Sequence, residues 1–117
     1  MPKVFIIIVN YNGYKDTRDC IESLLEIVYE NYEIIVVDNG STDESMNLLN
    51  GVKNEKVVVL DAKDNLGFSG GNNLGIGYAF RHQADYVLLL NNDTVVEKDF
   101  LSKLIDCAGK YQNHAVI

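Results

Sequence analysis

The sequence predicts an α/β fold: a mostly parallel sheet with helices on both faces. Three observations lead there. Four short runs of Val, Ile, Leu and aromatic residues recur along the chain. Each is followed by a segment with helical spacing or helix-start residues, giving the order βαβαβαβα. Polar side chains and glycines gather just after the carboxyl ends of the runs.

The first run, Lys3–Asn10, is continuously apolar and β-branched, as a strand buried on both faces must be. From Tyr14 to Val28, Cys20, Ile21, Leu24, Leu25 and Val28 repeat at helical spacing between charged residues, which predicts an amphipathic helix lying on the sheet. Tyr32–Asp38 reads as a second buried strand, broken by Gly40-Ser41. Ser41 with Glu44 fits a capping box opening a short helix to about Asn50. Lys56–Leu60 is a third strand. A polar, glycine-rich loop from Asp61 to Gly71 then leads to a helix from about Asn72 to His82, whose last turn Arg81-His82 would cap. Asp85–Leu90 is the fourth strand, and Phe100, Leu101, Leu104, Ile105 and Ala108 mark a last helix. After a polar turn, Ala115-Val116-Ile117 resembles the opening of a fifth strand, so residues 1–117 are expected to form one domain that is incomplete at its C-terminus.

Composition narrows the function. With 47% hydrophobic residues in 117, the chain can bury one core and not two. Ten Lys+Arg against 17 Asp+Glu give a net charge of −7, which argues against a nucleic-acid partner, because phosphate backbones need a cationic face. No apolar run reaches the ~18–20 residues of a transmembrane helix, and Val4–Val9 runs directly into Asn10-Tyr11-Asn12-Gly13 with no cleavage site, so a signal peptide is not expected. Cys20 and Cys107 show no metal or redox spacing, and both are expected to be buried thiols in a reducing cytoplasm.

In open parallel sheets ligands bind beyond the carboxyl ends of the strands. Those ends carry Asn10-Tyr11-Asn12, Asp38-Asn39, Asp64-Asn65 with the following glycines, and Asn91-Asn92-Asp93. Asp93, set among neutral amides, suits Mg²⁺ or Mn²⁺, which take one or two carboxylates and complete their shells with phosphate and water; it equally suits a helix or turn cap. Asp38 has the chemistry to accept a hydrogen bond from the ring N–H of a uracil or thymine, or to organise an Asx-turn with Gly40 and Ser41. Tyr11 offers a face for stacking a base or for packing the loop. The backbone N–H groups of Gly67–Gly71 are able to receive a phosphate or sugar hydroxyl without a lysine. The two histidines, at a helix end and in the final turn, exclude a Ser/His/Asp triad. A receiver domain would need an acidic pair where Asn10-Tyr11-Asn12 stands. A dinucleotide-binding domain would need G-x-G-x-x-G after the first strand, where there is only Gly13. A sugar nucleotidyltransferase would open with a glycine-rich basic loop, also missing.

Four segments, FIIIVNYNG (Phe5–Gly13), VVDNGSTD (Val36–Asp43), DNLGFSGGNNLG (Asp64–Gly75) and LLLNNDT (Leu88–Thr94), together resemble the N-terminal half of family 2 inverting glycosyltransferases of the GT-A fold. The glycine-rich segment resembles the rhamnosyltransferase-like branch of cell-surface polysaccharide synthesis. The resemblance implies a Rossmann-like nucleotide-sugar-binding half with Tyr11, Asp38, Asn39, Asp64, Asn65, Gly70, Gly71, Asn91 and Asn92 around the donor. Asp93 would hold Mg²⁺ or Mn²⁺ at the position of the family's DxD element, whose first Asp is Asn91 here. The donor would be a UDP-, TDP- or GDP-linked sugar and the acceptor a hydroxyl. The catalytic base is expected beyond Ile117, leaving these 117 residues a donor-binding half of low or no turnover. The alternative is a non-catalytic nucleotide-binding remnant or self-assembly module. Further expectations are a homo-oligomer shielding an unfinished sheet, and a location in the cytoplasm, at the inner face of the membrane in the parent enzyme.

Overall fold

A computed structural model describes residues 1–110. Eight elements alternate as expected: β1 (Val4–Asn10), α1 (Tyr14–Leu24), β2 (Tyr32–Asp38), α2 (Ser45–Asn50), β3 (Val57–Asp61), α3 (Gly67–Arg81), β4 (Tyr86–Leu90) and α4 (Phe100–Lys110). The four strands form one parallel sheet in the order β3-β2-β1-β4. The expected fifth strand, Ala115–Ile117, lies outside the described residues.

Alternation along the central strand divides the buried residues between the two faces of the one sheet. Val4, Ile6 and Ile8 of β1, with Ile34 and Val36 of β2, face α1, α2 and α4 through Cys20, Ile21, Leu24, Leu49 and Leu101. Phe5, Ile7, Ile35 and Val37 face α3 alone, through Ala79 and Ile76. The side follows from connection handedness. The chain steps from β1 to β2 to β3 in one direction and must return across the sheet to reach β4, so a right-handed crossover puts α3 on the opposite face.

Several boundaries differ from the sequence reading, each for a tertiary reason. α1 stops at Leu24, not Val28, because the buried Tyr32 hydroxyl donates to the Leu24 carbonyl at 2.9 Å and Val28 N–H is diverted to Lys98 O. Val28 consequently stands exposed. The capping box at Ser41 does not form. Ser41 Oγ donates to Asp38 Oδ1 at 2.7 Å and accepts from Asn12 N–H, and α2 begins only at Ser45, whose N–H is met by Asp43 Oδ1. Asp43 is held below the usual carboxylate range by those contacts with Ser45.

α3 starts five residues earlier than predicted, at Gly67, whose N–H donates to Asn65 Oδ1 at 2.9 Å. The glycines expected to form a loop instead form its first turns. Gly71 and Gly75, one helical turn apart, lie against the sheet. A Cβ on Gly75 would come within 2.6 Å of Ile7 Cγ2, and one on Gly71 within 3.0 Å of Val9 Cγ1. Helix propensity argues against glycine here, and close approach of helix to sheet overrides it.

The cysteines also divide. Cys20 is buried, but Cys107 is exposed, because Leu101, Leu104, Ile105 and Ala108 occupy the inward stripe of α4 and position 107 falls off it. His82 does cap α3 as expected: its Nδ1 lies 2.8 Å from Tyr78 O and its ring stacks on Tyr78. Among the described residues no helix is long and apolar enough to cross a membrane.

Candidate functional site

The parallel sheet brings the carboxyl ends of all four strands to one edge, with the break in sequential strand order falling between β1 and β4. Tyr11 follows β1 there, Asp38 ends β2 with Asn39 just after it, and Asn91-Asn92-Asp93 follows β4. β1 and β2 run in register to their last residues, setting Asn10 beside Asp38.

These side chains fall into an engaged inner group and a free rim. Asp38 is buried, and its oxygens accept three hydrogen bonds: Asn10 Nδ2 (3.1 Å) and Ser41 Oγ (2.7 Å) on Oδ1, and Ser41 N–H (3.1 Å) on Oδ2. This is the Asx-turn weighed in the sequence, and it leaves about one of the four acceptor positions of a carboxylate unused. Asn39, also buried, ties β2 to the start of α3. Its Nδ2 donates to Gly67 O (3.0 Å) and Asn65 Oδ1 (3.3 Å), and its Oδ1 accepts from Leu66 N–H (3.0 Å). Gly40 completes this junction. It takes φ +76°, and a Cβ there would strike the backbone of Asp64 and Asn65 at 2.6 Å, so glycine is required on both counts. Asn65 is therefore drawn into the junction, Gly71 packs beneath it, and a Cβ on Gly70 would meet Leu66. Both glycines serve helix packing.

The rim consists of Tyr11, Asp64, Asn91 and Asp93. All four are exposed, and no side-chain hydrogen bond to them is found among the described residues. None of the ion pairs found there, Lys3–Glu33, Arg18–Asp19 and Lys103–Asp99, involves an acidic residue of the site. Among the described residues Asp93 thus stands without a cationic partner, and its charge reaches inward. Burial first, and then Asp93, push the Cys20 thiol up to about 11. Among the described residues there is no group of three or more His, Cys, Asp and Glu able to cage a metal by themselves. An exposed lone carboxylate fits Mg²⁺ or Mn²⁺ that takes most of its shell from ligand phosphate and water.

The inner group includes residues not singled out from the sequence. Asn12, at φ 50°, fastens the β1 loop to the β2 loop by accepting from Thr42 N–H at 2.8 Å and donating to Thr42 Oγ1 at 3.1 Å. Thr17 is buried on α1 and bonded to both Asn10 and Asn92. Its signal was in the sequence: Thr17, Cys20, Ile21 and Leu24 form one i, i+3, i+4, i+7 stripe, with a hydroxyl on an otherwise apolar face.

The model of the glycosyl transferase family 2 matches residues 5–117. An uncharacterized glycosyltransferase of Haemophilus influenzae is 33% identical over the whole chain and 46% of its own length. The poly-β-1,6-N-acetyl-D-glucosamine synthase of Staphylococcus aureus is 33% identical over 76% of the chain and 21% of its own length. The chain thus spans less than half the length of the curated relatives it matches. Among solved structures, residues 1–349 of S. aureus TarS in complex with UDP-GlcNAc superpose with a TM-score of 0.80 at 23% identity, covering 94% of this chain and 32% of that one. The Pyrobaculum calidifontis mannosyltransferase PcManGT, in complex with GDP-Man and Mn²⁺, gives 0.74 at 20% identity, covering 89% and 31%. At these identities the superpositions establish a shared GT-A-type fold. With the sequence motifs, the strand order and a family match across nearly its full length, the chain belongs to glycosyl transferase family 2.

Proposed function

We propose that the protein carrying this chain transfers a sugar, with inversion, from a nucleoside-diphosphate sugar to an acceptor hydroxyl in the synthesis of cell-surface polysaccharide, and that residues 1–117 form its donor-binding part. The observation that carries this reading is the division at the carboxyl edge. A buried amide and carboxylate framework holds up a rim of exposed groups, Tyr11, Asp64, Asn91 and Asp93, unpaired among the described residues, at the carboxyl edge of the sheet. Family membership supports it, as do the nucleotide-sugar complexes of TarS and PcManGT and the polysaccharide product named for the S. aureus synthase.

In this reading Tyr11 stacks on the base and the remaining acceptor position of Asp38 takes a base N–H. Asp64 and Asn91 line the sugar and phosphates, while Asn39, Asn65, Asn92, Gly70 and Gly71 shape the wall behind them. Asp93 holds Mg²⁺ or Mn²⁺, whose charge offsets the diphosphate as it leaves. The general base belongs to a segment beyond Ile117, the rhamnosyltransferase-like branch is the closer subfamily, and the parent works in the cytoplasm at the inner face of the membrane.

Calorimetric titration with UDP, TDP and GDP, with and without Mn²⁺, tests the reading. One diphosphate is expected to bind in a metal-dependent way, with binding lost in Asp93→Ala and weakened in Asp38→Asn. No binding to any of the three would overturn the donor-site reading and favour a non-catalytic remnant or assembly module.

A further inference from the structure

We propose that the buried hydroxyl of Thr17 couples the nucleoside half of the donor site to its diphosphate half, a positioning role that rests on the donor-site reading. Thr17 occupies a sheet-facing position of α1 that Val would fill equally well by shape, and a buried hydroxyl is costly unless it is bonded. Here it is bonded twice. Thr17 Oγ1 donates to Asn10 Oδ1 at 2.6 Å and accepts from Asn92 Nδ2 at 3.1 Å. Asn10 Nδ2 in turn donates to Asp38 Oδ1 at 3.1 Å.

The result is a chain of donors running one way, from Asn92 through Thr17 and Asn10 to Asp38. Its direction is set at one end, where the Asp38 carboxylate accepts from Ser41 N–H and Oγ as well as from Asn10. Asn10 must therefore turn its amide N–H to Asp38 and its carbonyl oxygen to Thr17. Thr17 must then give its proton to Asn10 and offer its lone pairs to Asn92. Each bond polarises the next in the same sense.

The strand ladder does not supply this link. β1 and β4 are paired only as far as Ile8 and Leu90, so the turn bearing Asn92 and Asp93 extends beyond the last rung. α1 holds that turn instead. Ser23 Oγ accepts from Val96 N–H farther along, at 3.2 Å, and Cys20 Sγ lies 4.0 Å from Asn91 O. Thr17 is the side chain of α1 that fixes Asn92, the neighbour of Asp93, and it does so relative to Asp38. Removing the hydroxyl frees the diphosphate side from the nucleoside side without touching any rim residue.

The test compares wild type, Thr17→Val and Thr17→Ser by calorimetry with UDP, TDP and GDP, each with and without Mn²⁺. The readout is the gain in affinity that Mn²⁺ confers. Thr17→Val, which removes both hydrogen bonds, is expected to cut that gain by about tenfold, beyond any loss of metal-free affinity, and Thr17→Ser is expected to restore it. Thr17→Ala replaces Thr17→Val should the latter not fold by circular dichroism. An unchanged Mn²⁺ gain in the variant without the hydroxyl would overturn the proposal. So would an equal loss with and without metal, or a Thr17→Ser variant as impaired as Thr17→Val. Failure of wild type to bind any of the three diphosphates is a different result: it removes the donor-site reading itself.

Discussion

Replacing Gly75 by alanine sets two opposed effects against each other at one atom. In an exposed helix interior the change stabilises by about 1 kcal/mol, because alanine restricts the unfolded chain and suits a helix. At position 75 the new Cβ would lie 2.6 Å from Ile7 Cγ2, and 3.3 Å from both Ile7 Cγ1 and Ile7 Cδ1. Ile7 cannot step aside easily. It is fully buried on a central strand, and β-branching restricts its χ1. Either α3 lifts off the sheet or Ile7 leaves its rotamer, and such overpacking costs about 1–3 kcal/mol. With Ile7 closed in on both sides the upper half of that range applies, for a net loss of about 1–2 kcal/mol. Gly77, half a turn on, is the internal control. A Cβ there would meet only the mobile guanidinium tip of Arg81, at 3.3 Å, so Gly77→Ala should gain about 0.5–1 kcal/mol. The two variants should therefore straddle wild type in urea unfolding followed by circular dichroism, separated by about 2 kcal/mol, with equal m-values. Gly75→Ala as stable as Gly77→Ala would refute the argument that close packing, and not loop flexibility, accounts for this glycine.

Two further outcomes are expected. The exposed Cys107 should react with a thiol reagent in the native state, whereas Cys20, buried and with its pKa raised to about 11, should react only on unfolding; two fast thiols in native protein would contradict the placement of Cys20 under the site. The outer edge of β4 has no strand partner among the described residues, and Leu66, Phe68 and Phe80 of the α3 side are exposed, so copies of the chain are expected to associate; a monomer by light scattering at high concentration would oppose this.

What was legible in the sequence, and what was not, follows the range of the forces involved. Strands buried on both faces have to be continuous apolar runs, so Val4–Asn10 and Tyr32–Asp38 were read to within a residue. Strand–helix alternation implied parallel pairing, and parallel pairing implied that Tyr11, Asp38, Asp64 and Asp93 would share one edge. These are local patterns and their topological consequences, and residue order alone determines them. The family motifs were legible for the same reason, being contiguous.

Tertiary structure decided whatever depends on a partner distant in sequence. Ser41 looks like a helix cap until Asp38 and Asn12 compete for its hydroxyl. Gly67–Gly71 looks like a loop until Val9 requires a helix face without a Cβ at Gly71, as Ile7 does one turn on at Gly75. Asp38 and Asn39 look like free ligand-binding groups until Asn10, Leu66 and Gly67 use most of their hydrogen-bonding capacity. Thr17 is visible as a hydroxyl on the apolar stripe of α1, but its partner Asn92, 75 positions away, is decided only by the fold. A hydrogen bond has steep distance and angle requirements, and a Cβ contact is decided within a few tenths of an ångström. Neither leaves a periodic mark on the chain, so both become determined only when the sheet has brought its four carboxyl ends together.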